Sequence, residues 1–188
     1  MASERFQGYR EVYSLWHLRQ ILSTYGIDTS EWVKSPEKLF SEIEAGEVRL
    51  HIEEDRVVQH LQVSNVIIFS PDGSQVLEEN YHVRKSDGLK TKRTYFRRSV
   101  TEKIRLTESP MMAACRGLKE ELELEPDPAS VVYTRNSVQR EEDLYYLGLL
   151  FNTEVSHYML TLQEELYNPQ GYIEQQPKKT VYFNWFPV

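Results

Sequence analysis

Two adjacent carboxylates, Glu120 and Glu121, close an apolar-faced segment that starts at Ser109-Pro110. Serine caps helices and proline suits a first turn, so the spacing predicts a helix over about 110–123. At the helical period Met111, Ala114, Cys115, Leu118 and Leu122 share one arc, which should face a core. Glu120 and Glu121 fall away from that arc and flank Gly117, on a stripe expected to face solvent. Paired carboxylates on one helix face are hard oxygen ligands suited to Mg2+ or Mn2+, with phosphate oxygens completing the shell. The plain alternative is a charged helix exterior on which Arg116 pairs with Glu120 one turn on. A mid-helix glycine costs about 1 kcal/mol relative to alanine, so Gly117 points to close approach by another group.

A second feature is cationic. The chain carries a net charge of −7, from 22 basic and 29 acidic residues. The stretch 84–105 nevertheless holds Arg84, Lys85, Lys90, Lys92, Arg93, Arg97, Arg98, Lys103 and Arg105 against Asp87 and Glu102 alone. An acidic protein that gathers cations in one segment has reason to meet a negative partner, such as phosphate or nucleic acid. The alternative is a solvated hairpin balanced by the acidic surface around it. Arg93, Arg97, Arg98 and Lys103 are the candidate phosphate binders, since arginine's planar fork matches phosphate oxygens.

The elements that must position these groups follow from pattern. Val12, Leu15, Leu18, Leu22 and Tyr25 recur every three or four residues, and Ser35-Pro36 opens a second short apolar face. A helical pair is therefore expected over residues 1–46, ahead of a domain at 47–188. Strands are expected at Val57–Phe69, Val76–Val83, Arg93–Val100, Ser130–Val138, Leu144–Leu162 with a break near Gly148, and Thr180–Phe186. The whole reads as mixed α and β structure. Apolar runs are only a few residues long, and the first residues lack an apolar signal region, so no membrane span or secretory leader is expected. The lone Cys115 excludes an intrachain disulfide and a multi-cysteine zinc site, and makes a cytoplasmic setting the simplest expectation.

Glu108, seven residues, Arg116, then Leu118-Lys119-Glu120-Glu121-Leu122-Glu123-Leu124 resembles the Nudix box, G-x5-E-x7-R-E-U-x-E-E-x-G-U, in which U is a bulky aliphatic. Glu108, Arg116, Leu118, Glu120, Glu121 and Leu124 match in register. The resemblance spans roughly residues 55–186 and implies a Nudix-like α/β/α sandwich with a mixed sheet, preceded here by the helical pair. It implies metal binding by Glu120 and Glu121, a catalytic site of Glu120, Glu121 and Arg116, and an ion pair between Arg116 and Glu108. Gly117 and Leu118 complete the motif. The departures are specific: the family's opening glycine falls at Glu102, the glutamate after the box arginine is Gly117, and the late glycine is Glu123. The N-terminal helices would supply the cover that a final helix gives elsewhere in the family.

Two functions follow from the resemblance. One is an Mg2+- or Mn2+-dependent hydrolase cleaving a nucleoside diphosphate linked to another moiety, with its base drawn from Glu141, Glu142 or Asp143, or less readily Glu164 or Glu165. The other, favoured here, is a fold that binds a phosphorylated small molecule or nucleotide, with pyrophosphate hydrolysis weak or lost. An RNA- or protein-binding module on a dead scaffold is the remaining variant. The oligomeric state is left open by the sequence.

Overall fold

The computed structural model describes residues 9–92 and 99–188. Arg93, Arg97 and Arg98 lie outside the described residues. In chain order the elements are β1 (Tyr9–Arg10), α1 (Leu15–Thr24), α2 (Pro36–Glu44), β2 (Val48–Glu53), β3 (Arg56–Phe69), β4 (Gln75–Arg84) and β5 (Lys90–Lys92). They continue with β6 (Val100–Lys103), α3 (Pro110–Leu122), β7 (Val132–Glu142), β8 (Leu150–Thr161), β9 (Tyr172–Gln175) and β10 (Lys179–Pro187). The fold is mixed α/β with a mixed sheet, as expected. Most strand pairs are antiparallel, but β3 and β8 run the same way. Gln62 bonds Glu154 early in both strands, and Phe69 accepts from the Leu162 amide late in both. No helix among the described residues is long and apolar enough to cross a membrane.

The chain divides into two compact units, and β3, β6, β7 and β8 each begin in one and end in the other. The first unit comprises 1–62, 103–107 and 137–155. Its helices start where the sequence says: Ser14 accepts from the His17 amide and Ser35 from the Lys38 amide. Leu18 and Leu22 of α1 and Leu39 of α2 bury against Val48, Leu50 and Val57, with Tyr146 and Leu149 closing the cluster. The helical pair thus shares one core with the strands that follow it. Trp32 meets Tyr146 edge-on at 4.9 Å and donates from its indole nitrogen to the Leu147 carbonyl.

A charged knot sits in this unit. The Glu42 carboxylate, 4 % exposed, lies 3.3 Å from Lys34, 3.8 Å from Lys38 and 3.1 Å from Lys103. Burial opposes its charge, but Lys103 and Lys34 overcome that and hold its pKa below the ordinary value of 4.5. Folded Glu42 therefore binds a proton less tightly than the unfolded chain does. The stabilisation is complete above the ordinary value and is lost as pH falls through the lower folded value. Glu42→Gln should cost about 3 kcal/mol at neutral pH, near the low end for breaking a buried pair. Its melting temperature should then fall less than the parent's between about pH 5 and 3. Equal acid losses in the two proteins would contradict this account.

The second unit comprises 63–102, 108–136 and 156–188. Here β4 pairs with β10 over its whole length, β10 pairs with β9, and β5 folds back on the end of β4. Val66, Ile68, Leu77, Val100, Leu160, Val181 and Phe183 from the strands bury Ala114, Leu118 and Leu122 of α3. Ser99 is buried and ties two strands, donating to the Leu77 carbonyl and accepting from the Ile68 amide. Helix α3 begins as expected, with Ser109 accepting from the Met112 amide and Pro110 in the first turn. It ends at Glu123, whose φ of 57° is left-handed. The Leu124 amide reaches back to the Leu118 carbonyl there, a turn that glycine adopts more easily.

Candidate functional site

Arg116, in the middle of α3, is the hub of the site. Its Nε and Nη2 donate to the two oxygens of Glu108 at 2.9 and 2.8 Å, a two-pronged fork. Its Nη1 lies 3.0 Å from Glu102 on β6 and 3.5 Å from Glu120 one turn along the helix. The guanidinium, only 16 % exposed, thus joins three carboxylates. Glu108, and then Glu102, accept hydrogen bonds from the guanidinium and push its pKa well above the ordinary arginine value despite burial. It is a permanent cation. Glu120 stays about half exposed, and Glu121 is partly buried at the next position.

Gly117 is where the expected helix face is corrected. It is buried and does not lie on a solvent stripe. A Cβ at this position would stand 2.8 Å from Val100 Cγ1 and 2.9 Å from Glu102 Cβ, closer than packed carbons approach. The close approach that a mid-helix glycine suggests is therefore made by β6, through Val100 and Glu102 together. Ala113 is buried as well, so α3 packs over a wider arc than the one read from Met111 and Cys115, which are only partly covered.

Lys103, the next residue on β6, goes elsewhere. Alternation along the strand sends it away from its neighbour, and its ammonium is held by Glu42 at 3.1 Å and Glu47 at 3.3 Å within the first unit. Among the candidates for a base, Asp143 is buried, accepting from Gln59 Nε2 at 2.8 Å and from the amides of Tyr145 and Tyr146. That is the work of a turn-forming carboxylate. Glu141 and Glu142 are exposed at the end of β7, with Glu142 beside Arg56, and Glu164 and Glu165 are exposed on a short 3-10 turn.

One acidic residue near the site escaped the sequence pattern. Glu174 lies on β9, a four-residue strand after Asn168-Pro169 that is too short for alternation to reveal. Burial pushes its carboxyl above the ordinary value and the charge of Glu102 adds to this, while Gln176 and Lys179 pull the other way. Lys179 stands opposite Arg84 in the β4–β10 ladder. Glu174 therefore feels the charge of Glu102 and, with the opposite sign, that of Lys179. On the β4–β5 hairpin Arg84, Lys85, Lys90 and Lys92 are exposed, and the Lys90 ammonium sits 3.6 Å over the ring of Tyr81.

The resemblance implies Mg2+ or Mn2+, ions that need several oxygen ligands converging on one point. Among the described residues no three His, Cys, Asp or Glu side chains are grouped to hold an ion. Glu102 and Glu120 converge instead on Arg116, and Gly117 has no ligand to offer. As placed, these residues do not fit the metal.

No protein-family model and no curated protein matches the chain. Solved structures do resemble it. The E. coli dihydroneopterin triphosphate pyrophosphohydrolase is 20% identical with a TM-score of 0.47, over 67% of this chain and 80% of that one. The NUDIX domain of Shewanella oneidensis NrtR, complexed with ADP ribose, is 13% identical with a TM-score of 0.41, over 68% and 73%. The T. brucei MERS1–RNA complex is 17% identical with a TM-score of 0.40, over 59% of this chain and 37% of that one. A MutT/nudix family protein from Enterococcus faecalis is 12% identical with a TM-score of 0.44, over 95% of this chain and 57% of that one.

Proposed function

We propose that this chain is a divergent Nudix-fold protein that binds a phosphorylated ligand of nucleoside diphosphate type, with pyrophosphate hydrolysis weak or lost. What carries the reading is the condition of the α3 motif. Its scaffold is intact, since Arg116 forks onto Glu108 and Leu118 is fully buried beneath it. Its chemical face is altered, since Glu102 crowds Gly117 and shares Arg116 with Glu120. Losing one essential catalytic ligand commonly lowers rates by orders of magnitude. The basic hairpin keeps its cations exposed on a chain of net charge −7, and anion binding there needs no metal.

The test is a melting-temperature screen with nucleoside diphosphate derivatives, run beside an assay for monophosphate release with Mg2+ or Mn2+. The expected result is ligand-dependent stabilisation with little or no turnover. Replacing Lys85, Lys90 and Lys92 together by alanine should weaken binding roughly tenfold, and added salt should weaken the parent's binding too. Rapid metal-dependent turnover lost in Glu121→Gln would instead identify an active hydrolase. Stabilisation by single-stranded RNA and by none of the nucleotides would favour the RNA-binding variant.

A further inference from the structure

We infer that Glu102 and Gly117 act as one exchanged pair, with the strand residue filling the volume that a side chain at 117 would need and holding Arg116 in place. On this view the carboxylates around α3 are an ion-pair scaffold and not a divalent-metal site. Three features of the geometry converge on this. A Cβ on residue 117 meets Glu102 Cβ at 2.9 Å and Val100 Cγ1 at 2.8 Å, so positions 102 and 117 cannot both carry ordinary side chains at this spacing. The Glu102 carboxylate is turned to Arg116 Nη1 at 3.0 Å, the nitrogen that also takes Glu120. The Nε and Nη2 of Arg116 donate to Glu108, so the guanidinium is held from two places, by Glu108 just before α3 and by Glu102 on β6.

The guanidinium thereby occupies the point on which Glu102, Glu108 and Glu120 converge. A divalent ion held by Glu102 and Glu120 would have to sit against this fixed positive charge, and the two repel. Moving Arg116 aside would break its contacts with Glu102 and Glu108, both largely covered. Glu102 is thus a positioning residue that acts through Arg116. The inference rests on the ligand reading only for its last consequence, that the phosphorylated ligand binds without a divalent ion.

Two measurements on the ligand-free full chain test it. Manganese titration, followed by calorimetry and by water-proton relaxation, should show no saturable site, and the melting temperature should not respond to the metal. Separately, Gly117→Ala should lower the melting temperature markedly in the parent and at most half as much in a Glu102→Gly background, where one of its two close neighbours is gone. Should Gly117→Ala fail to fold, Glu102→Gln still reports. It keeps the shape, and it should lower the melting temperature by weakening the hold on Arg116 while leaving the absent manganese response unchanged. Saturable micromolar manganese binding that Glu102→Gln abolishes would overturn the proposal, as would equal effects of Gly117→Ala in both backgrounds. Neither readout uses a nucleotide, so a failure of the ligand reading would leave both intact. If the ligand screen succeeds, stabilisation should be the same with a chelator as with manganese, and a strict metal requirement would overturn the inference alone.

Discussion

Replacing Arg116 with alanine is expected to remove about 3–5 kcal/mol of folding stability, read by urea denaturation. The guanidinium is the shared cation of Glu102, Glu108 and Glu120, and two of those carboxylates are at most 20 % exposed. Without it, Glu102 and Glu108 are left covered by protein with their common counter-charge gone. That is the costly way to break a buried pair, because the remaining charges cannot return fully to water. Arg116→Lys should recover less than half of the loss, since an ammonium cannot span both oxygens of Glu108 as the fork does. A loss under about 1 kcal/mol for Arg116→Ala would mean that the network behaves as an exposed surface cluster, and the scaffold argument would fall with it.

Gly171→Ala should cost about 4 kcal/mol or prevent folding altogether, among the largest effects expected of a single substitution. Gly171 sits at φ +84° just before β9, and an added Cβ would lie 2.0 Å from the Phe183 carbonyl oxygen. The obstruction is backbone in a strand paired on both sides, so no side chain can rotate out of the way. Gly73 provides the control. Its φ of +71° is similar, but nothing lies within 4 Å of the added carbon, so Gly73→Ala should cost only about 1 kcal/mol. Similar losses at the two sites would show that backbone conformation, and not the close approach of β10, dominates. The substitution also bears on the site, because the strand it displaces carries Glu174.

The helix motif was legible because it is local. Caps, apolar spacing and the Glu108–Arg116 interval are set within one segment, and α3 forms with its cap, its buried Leu118 and its Arg116 fork where the spacing places them. The two N-terminal helices were legible for the same reason. Their partners were not: Leu18 and Leu39 meet Tyr146 and Leu149, more than a hundred residues away, and no periodicity connects them. Lys103 shows another limit. Counted along the chain it belongs with the neighbouring cations, but a strand turns successive side chains to opposite sides, and Glu42 captures it.

Glu102 shows the limit most clearly. In sequence it stands where the motif that α3 resembles has glycine, and Gly117, fifteen residues further on, stands where that motif has glutamate. Only in three dimensions do the two positions lie against each other, with Glu102 on the strand reaching Arg116 beside Gly117 on the helix. The order of residues determined the elements, the acidic and basic segments, and the motif, because these depend on neighbours along the chain. Which carboxylates converge, on which cation, and with how little room at Gly117 was decided by the packing of α3 on β6. That depends on distances between segments that the one-dimensional pattern does not encode.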